Sequence, residues 1–157
     1  MKYPKIIALA AVALLAGCGG GDSIGGLDAE ASYVIALTRA SEVPAPKPAT
    51  SSGTAIVILY PNSVDFQIAG SSLIAATMAH IHNGAIGAAG PIVVTLYQPS
   101  AASGEINGTF ATGSLTDANL PAGVTVASLK TLILSGNAYI NVHTTANPAG
   151  EIRGQIK

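Results

Sequence analysis

The sequence predicts an all-β protein, an antiparallel Greek-key β-sandwich with one short helix. Apolar and polar residues alternate in short runs, as in Val64-Asp65-Phe66-Gln67-Ile68, and this period of two is typical of strands with one buried and one solvated face. Turns rich in glycine and proline separate the runs. Such short strands at regular spacing, with only 10% charged residues, favour a sandwich over a helical fold.

The N-terminal segment predicts an exported protein. Lys2 and Lys5 precede an apolar run over residues 6–16, which has the length of a signal peptide and is too short to span a bilayer. The run ends in Leu15-Ala16-Gly17-Cys18, which resembles the lipobox of bacterial lipoproteins. We therefore expect residues 1–17 to be a lipoprotein signal peptide and Cys18 to carry the lipid. The alternative is an ordinary secretory signal followed by a chance cysteine.

The rest of the chain divides into a tether and one domain. Residues 18–30 are rich in glycine and lack periodicity, so they predict a flexible tether. Residues 31–157 suffice for a single domain with its own core. The expected location is the cell membrane or the outer membrane, on the periplasmic or the cell-surface side. Because Cys18 is the only cysteine, an intrachain disulfide is excluded.

The charge of the exported chain argues against a nucleic-acid partner. Without Lys2 and Lys5, five basic residues stand against eight acidic ones, which gives a net charge of minus three. Nucleic-acid binding requires a basic surface. The partners that we expect are the membrane, through the lipid anchor, and a protein partner if the domain serves as a binding module.

Eight runs of residues predict strands. Between the first and the second predicted strand, prolines at positions 44, 46 and 48 predict an exposed extended loop. The predicted strands cover residues 32–38, 53–60, 64–69, 78–84, 92–97, 104–110, 138–144 and 150–156. The motif Gly-Glu-Ile-x-Gly begins at Gly104 and again at Gly150. This repeat predicts two similar hairpins in one sheet system, with the motif on each return arm.

One stretch, residues 128–135, predicts a helix that crosses between the sheets. Leu129, Leu132 and Ile133 have helical spacing. Ser128 is the candidate N-cap, and Gly136 follows the predicted end.

The three histidines of the chain lie in two of the predicted strands. Alternation places His80 and His82 on one face of the first strand together with Met78, and it places His143 on one face of the second with Tyr139 and Asn141. If the two strands face each other, the three imidazoles form a site for copper or zinc. Met78 is a possible additional ligand because a thioether suits copper(I), although for Met78 taken alone core filling is the favoured role.

Three separated blocks of sequence resemble the CHRD domain, which was first described in chordin. The blocks are Glu42-Val43-Pro44; Ala79-His80-Ile81-His82-Asn83-Gly84 with Gly90-Pro91-Ile92-Val93-Val94; and Tyr139-Ile140-Asn141-Val142-His143-Thr144 with Asn147-Pro148-Ala149-Gly150-Glu151-Ile152-Arg153-Gly154-Gln155. The resemblance covers nearly all of residues 31–157 and implies a β-sandwich, but no established activity. Ala149 departs from the pattern, in which glycine is more frequent.

The histidine pattern is also similar to the copper half of copper/zinc superoxide dismutases. The similarity is partial, because the chain has no fourth histidine to bridge two metals, no matching zinc aspartate and no second cysteine. Dismutase activity is therefore not supported by a full ligand set. No Gly-x-Ser-x-Gly motif indicates a nucleophilic serine either, and no catalytic residue is assigned.

Two functions remain open at the level of sequence. The first is a lipid-anchored domain that binds a transition metal, copper before zinc, through His80, His82 and His143, with an affinity that falls below the free-histidine pKa of about 6.5. The second is a structural or protein-binding module of the cell envelope. In that case the histidines are structural residues held by hydrogen bonds.

Overall fold

Two four-stranded antiparallel sheets pack against each other in the computed structural model, which describes residues 28–157. The strands are β1 (Ala31–Leu37), β2 (Ser52–Leu59), β3 (Val64–Ile74), β4 (Ala76–Asn83), β5 (Ile92–Tyr97), β6 (Glu105–Leu115), β7 (Ala138–Thr144) and β8 (Ile152–Gln155). The helix α1 (Val126–Leu134) joins β6 to β7. The predicted all-β sandwich with one short helix is confirmed.

The order of strands explains the Greek-key character of the fold. The first sheet runs β1-β2-β3-β6 and the second runs β5-β4-β7-β8. Strands β6 and β7 each return beside a strand that lies far away in the chain, β3 and β4 respectively. The predicted signal peptide, Cys18 and the tether as far as residue 27 lie outside the described residues. Among residues 28–157, no helix is long and apolar enough to cross a membrane.

Successive side chains of β4 and β7 point alternately into the core and to the outer face of the second sheet. Ala79 and Ile81 of β4, like Ile140 and Val142 of β7, point between the sheets and are fully buried. The residues between them point to the outer face of the second sheet, where every residue of β7 is nevertheless buried. Loops cover this outer face, so its polar side chains are enclosed.

Two predictions about local structure are wrong. The helix begins at Val126 with Thr125 as its N-cap, and Ser128 is the third helical residue of a capping box, its amide donating to Thr125 Oγ1 at 3.1 Å. Extending the helix to Val126 buries that side chain, which explains the earlier start. Gly136 follows the end as predicted, with a φ of 73°.

The first Gly-Glu-Ile-x-Gly motif does not lie on the return arm of a hairpin. It begins β6, which lies in a different sheet from the preceding β5. Strand β6 pairs instead with β3, and both are 11 residues long. The second motif leads into β8, which does form a hairpin with β7. The long ladder with β3, a non-local pairing, decides the sheet to which β6 belongs.

Candidate metal centre

Adjacent strands bring the predicted ligands to one surface. Strands β4 and β7 are antiparallel neighbours, and their register pairs Met78 with His143, His80 with Asn141, and His82 with Tyr139. Residues directly opposite each other in such a ladder project to the same side of the sheet. The predicted faces of both strands are thereby joined, and Met78 lies on the histidine face, partly exposed.

The three imidazoles form one buried group, the histidine cluster (His80, His82 and His143). One ring nitrogen from each histidine lies within 4.8 Å of those of the other two. The Nδ1 atom of His80 is 3.0 Å from the Nε2 atom of His143. The side chains are between 3% and 7% exposed. The predicted convergence of His80, His82 and His143 is therefore present in the fold.

Backbone carbonyls set the tautomers of two of these histidines. The Nδ1 atom of His82 lies 2.9 Å from the Gly90 carbonyl oxygen, and that of His143 lies 2.9 Å from the Pro148 carbonyl oxygen. A carbonyl only accepts, so both Nδ1 atoms carry the hydrogen and both Nε2 atoms carry a lone pair. The lone pair of His143 Nε2 faces His80 Nδ1, whereas that of His82 Nε2 has no partner. In metal sites, the second nitrogen of a histidine ligand makes this same kind of hydrogen bond.

A family model of the CHRD domain matches residues 33–156. The chain belongs to the CHRD domain family. No curated protein and no solved structure matches it. The match includes all three histidines, and the predicted family resemblance is confirmed. The similarity to copper/zinc superoxide dismutases remains a similarity of the histidine pattern alone.

One loop of the CHRD domain, residues 84–91, holds His82 in place. The Gly90 amide donates to the Tyr139 hydroxyl at 3.1 Å, and the Tyr139 ring stacks on the His82 ring with a centroid distance of 4.7 Å. A Cβ atom on Gly90 would lie only 1.7 Å from the Asn83 carbonyl oxygen. Only glycine therefore allows the loop to approach closely enough to offer its carbonyl to His82.

A second loop, residues 145–151, holds His143. Buried Glu151 accepts hydrogen bonds from Thr144 Oγ1 at 2.5 Å and from Asn147 Nδ2 at 2.8 Å. Burial acts to raise the pKa of Glu151, but hydrogen bonds from neighbouring hydroxyl and amide groups lower it overall. The carboxylate is thus ionised at neutral pH. It fixes the loop whose Pro148 carbonyl orients His143.

The histidine cluster is electrically neutral at physiological pH. Burial lowers the pKa of His80 to about 4, and the adjacent His143 and His82 contribute in the same direction. Burial is also the main cause that lowers the pKa values of His82 and His143. Protons therefore compete with a metal for these nitrogens only at a pH below the free-histidine pKa of about 6.5. The sequence alone predicted competition near that pKa.

Polar residues next to the cluster have roles that sequence reasoning missed. Arg153 is 1% exposed and lies over the Tyr139 ring, with its Cζ atom 3.4 Å from the ring centroid. Its Nη2 donates to the Ala85 carbonyl at 3.1 Å. Asn141 of β7 is buried on the same face. The carboxyl group of Glu42, from the loop after β1, is buried against this face, close to Asn141. The alternating pattern that places His143 on this face places Asn141 there as well, so the sequence does indicate the position of Asn141.

Buried polar atoms without hydrogen-bond partners concentrate at this place. Six such side-chain atoms occur in the described part of the chain, and four of them belong to the residues of this face: Glu42 Oε2, His82 Nε2, Asn141 Oδ1 and Arg153 Nη1. Buried polar atoms are normally paired. Unpaired atoms of this kind indicate that the face can take a bound species that supplies the missing partners.

Proposed function

We propose that the CHRD domain binds one transition-metal ion through His80, His82 and His143. The observation that supports this most directly is the convergence of three imidazole nitrogens within 4.8 Å, in a buried group where the Nε2 lone pair of His82 has no partner. A structural histidine would be expected to use both ring nitrogens or to expose one. A cation is the species that bare nitrogen lone pairs attract.

One separation between ligand nitrogens already suits an ion, and the other two are at most 4.8 Å. Nitrogen ligands about 2.0 to 2.1 Å from a tetrahedral ion lie about 3.3 Å from each other, which is close to the 3.0 Å separation of His80 Nδ1 and His143 Nε2. In the metal-free protein the hydrogen between these two atoms belongs to His80, since Nδ1 of His143 already carries one. Binding therefore requires the His80 hydrogen to move to its Nε2 atom.

Copper is our first choice of metal and zinc the second. Neutral imidazoles bind both ions, and the affinity order of the first-row divalent metals peaks at copper. The low pKa values of the cluster keep all three imidazoles neutral at neutral pH, so each has one nitrogen free of hydrogen. Met78, opposite His143 in the ladder, would add a thioether that suits copper(I).

Titration calorimetry of the metal-free protein, purified without a polyhistidine tag, tests this proposal. We expect one copper ion per chain at neutral pH, and weaker binding of zinc at the same site. Magnesium serves as the control and should not bind, because it prefers oxygen ligands. If neither copper nor zinc binds, the metal proposal fails, and a structural or protein-binding module of the cell envelope is the function that remains.

We further propose that the domain is held at a membrane through a lipid on Cys18. The support is the motif Leu15-Ala16-Gly17-Cys18 after an apolar run that follows two lysines. Stable anchoring needs more than one acyl chain. The lipid-modified cysteine of a bacterial lipoprotein carries several such chains. The glycine-rich residues that follow would separate the lipid from the domain.

Radiolabelled palmitate supplied to the producing cells is expected to label the wild-type protein and to leave Cys18→Ala unlabelled. A matched substitution in the same segment, Ser23→Ala, should label like the wild type. Label that persists in Cys18→Ala, or that is missing from the wild type, would contradict the anchor. Neither result bears on metal binding.

A further inference from the structure

Two buried hydrogen-bond acceptors on the polar face of the second sheet have no donor. Asn141 Oδ1 and His82 Nε2 are both buried without a hydrogen-bond partner, and Asn141 as a whole is 2% exposed. An amide oxygen offers only lone pairs, as does the bare nitrogen of His82. Two such atoms cannot satisfy each other, so a donor or a cation is required between them.

The position of Asn141 places its side chain at the centre of the group. Its Cα pairs with His80 on one side and with Arg153 on the other, so it stands on β7 next to His143 and beside the histidines of β4. Its side chain is close enough to His82 and Glu42 to influence the pKa of each: it acts to raise that of His82 and to lower that of Glu42. Asn141 therefore lies between the histidine cluster and the buried carboxyl group.

The carboxyl group of Glu42 lies on the Nδ2 side of the Asn141 amide. A Cβ atom built on Gly150 would meet Glu42 Oε2 at 2.3 Å and Asn141 Nδ2 at 3.0 Å, so the carboxyl oxygen and the amide nitrogen border the same small space. The amide nitrogen donates and the carboxyl oxygen accepts. With the nitrogen on the Glu42 side, the oxygen is left on the side of the histidine cluster.

We infer that Asn141 Oδ1 is the fourth ligand of the metal, with Glu42 as the residue that positions the amide. This inference rests on the proposed three-histidine site and completes it as a site of three nitrogens and one oxygen. Copper(II) prefers tetragonal geometry, so a fourth protein ligand fills its last strong position and leaves only weak axial ones. A site filled in this way presents its ion poorly to a substrate, so the domain would store or carry copper.

Azide binding to the copper(II)-loaded protein tests this inference, because azide gives a charge-transfer band when it enters an open coordination position. We expect the wild type to bind azide at least about tenfold more weakly than Asn141→Leu, which has a similar shape and no ligand atom. Copper affinity should fall about tenfold in the same variant. The control Asn107→Leu, an exposed position on β6, should behave like the wild type.

Glu42→Gln tests the positioning role of Glu42. The new amide can donate as well as accept, so it no longer holds the Asn141 amide in one orientation, and azide binding should be intermediate between those of the wild type and Asn141→Leu.

A second variant covers the case in which Asn141→Leu does not fold. Asn141→Asp keeps an oxygen at the same place and adds a negative charge, so copper should bind at least about tenfold more tightly, while azide should bind as weakly as in the wild type. Equal azide affinity in the wild type and Asn141→Leu, or unchanged copper affinity in Asn141→Asp, overturns the inference. With stoichiometric copper binding intact, either result leaves the three-histidine proposal standing. Absence of copper binding in the wild type overturns both.

Discussion

Replacing His143 by glutamine is expected to lower the copper affinity of the CHRD domain more than about 100-fold. Substitutions in the outer shell of metal sites already cost about 10- to 100-fold, and this change removes a ligand. The two nitrogens that remain, on His80 and His82, both belong to β4. Strand β7 then contributes no nitrogen, and the inferred amide oxygen of Asn141 is a weaker ligand than an imidazole. Competition with a chromophoric copper chelator measures the loss.

Glutamine is the sharper substitution because it separates metal binding from folding. Its amide can still donate to the Pro148 carbonyl, which accepts from His143 at 2.9 Å in the native protein. His143→Ala leaves that buried carbonyl without its partner and should lower the free energy of unfolding by about 1 to 3 kcal/mol. Both variants should keep the circular dichroism of the wild type. Copper binding by His143→Gln at wild-type affinity would contradict the proposed ligand set.

The histidine face could be predicted from sequence because a simple rule governs it. Ile81 and Val142 alternate with the histidines of their strands, and burying the apolar set in the core leaves the polar set on the other side. Once β4 and β7 are neighbours, the convergence follows. The alternating pattern does not predict that β4 and β7 are neighbours, because β5, β6 and α1 separate them along the chain.

The atoms that orient the ligands could not be predicted. The acceptors for His82 and His143 are the carbonyls of Gly90 and Pro148, and every residue has a carbonyl. Their placement depends on loop conformations that are stabilised by distant contacts, such as the hydrogen bond of 2.6 Å from the Lys47 amide to Asn147 Oδ1. The two Gly-Glu-Ile-x-Gly motifs show the same limit, because identical local patterns lead into strands of different sheets.

The metal-free domain is expected to lose stability as the pH falls from about 6.5 towards about 4. An unfolded histidine takes up a proton near its ordinary pKa of 6.5, whereas burial lowers the pKa of His80 to about 4. Between these values the unfolded chain holds more protons, so acidification favours unfolding. For His80 alone the loss amounts to about 3 kcal/mol over the full window. The lowered pKa values of His82 and His143 act in the same direction.

Glu42 opposes part of this loss. Burial raises its pKa above the ordinary value of 4.5, although the Val43 amide and Arg153 act to lower it. The folded state then holds the extra proton, so this group favours folding at low pH and loses its contribution as the pH rises through its folded pKa. The net effect remains a loss on acidification, because the pKa values of three histidines are lowered whereas only that of Glu42, beside the histidine cluster, is raised.

Urea unfolding of the metal-free protein at several pH values between 7 and 4 measures this dependence. The wild type should lose stability across the window, whereas His80→Gln should show a shallower slope because one of the titrating groups is gone. Gln67→Ala, on the exposed surface of β3, is the control and should keep the wild-type slope. Equal slopes in the wild type and His80→Gln would show that His80 titrates normally in the folded state. Its imidazole would then not be held neutral by burial, and the cluster would lack the property that readies it for a metal at neutral pH.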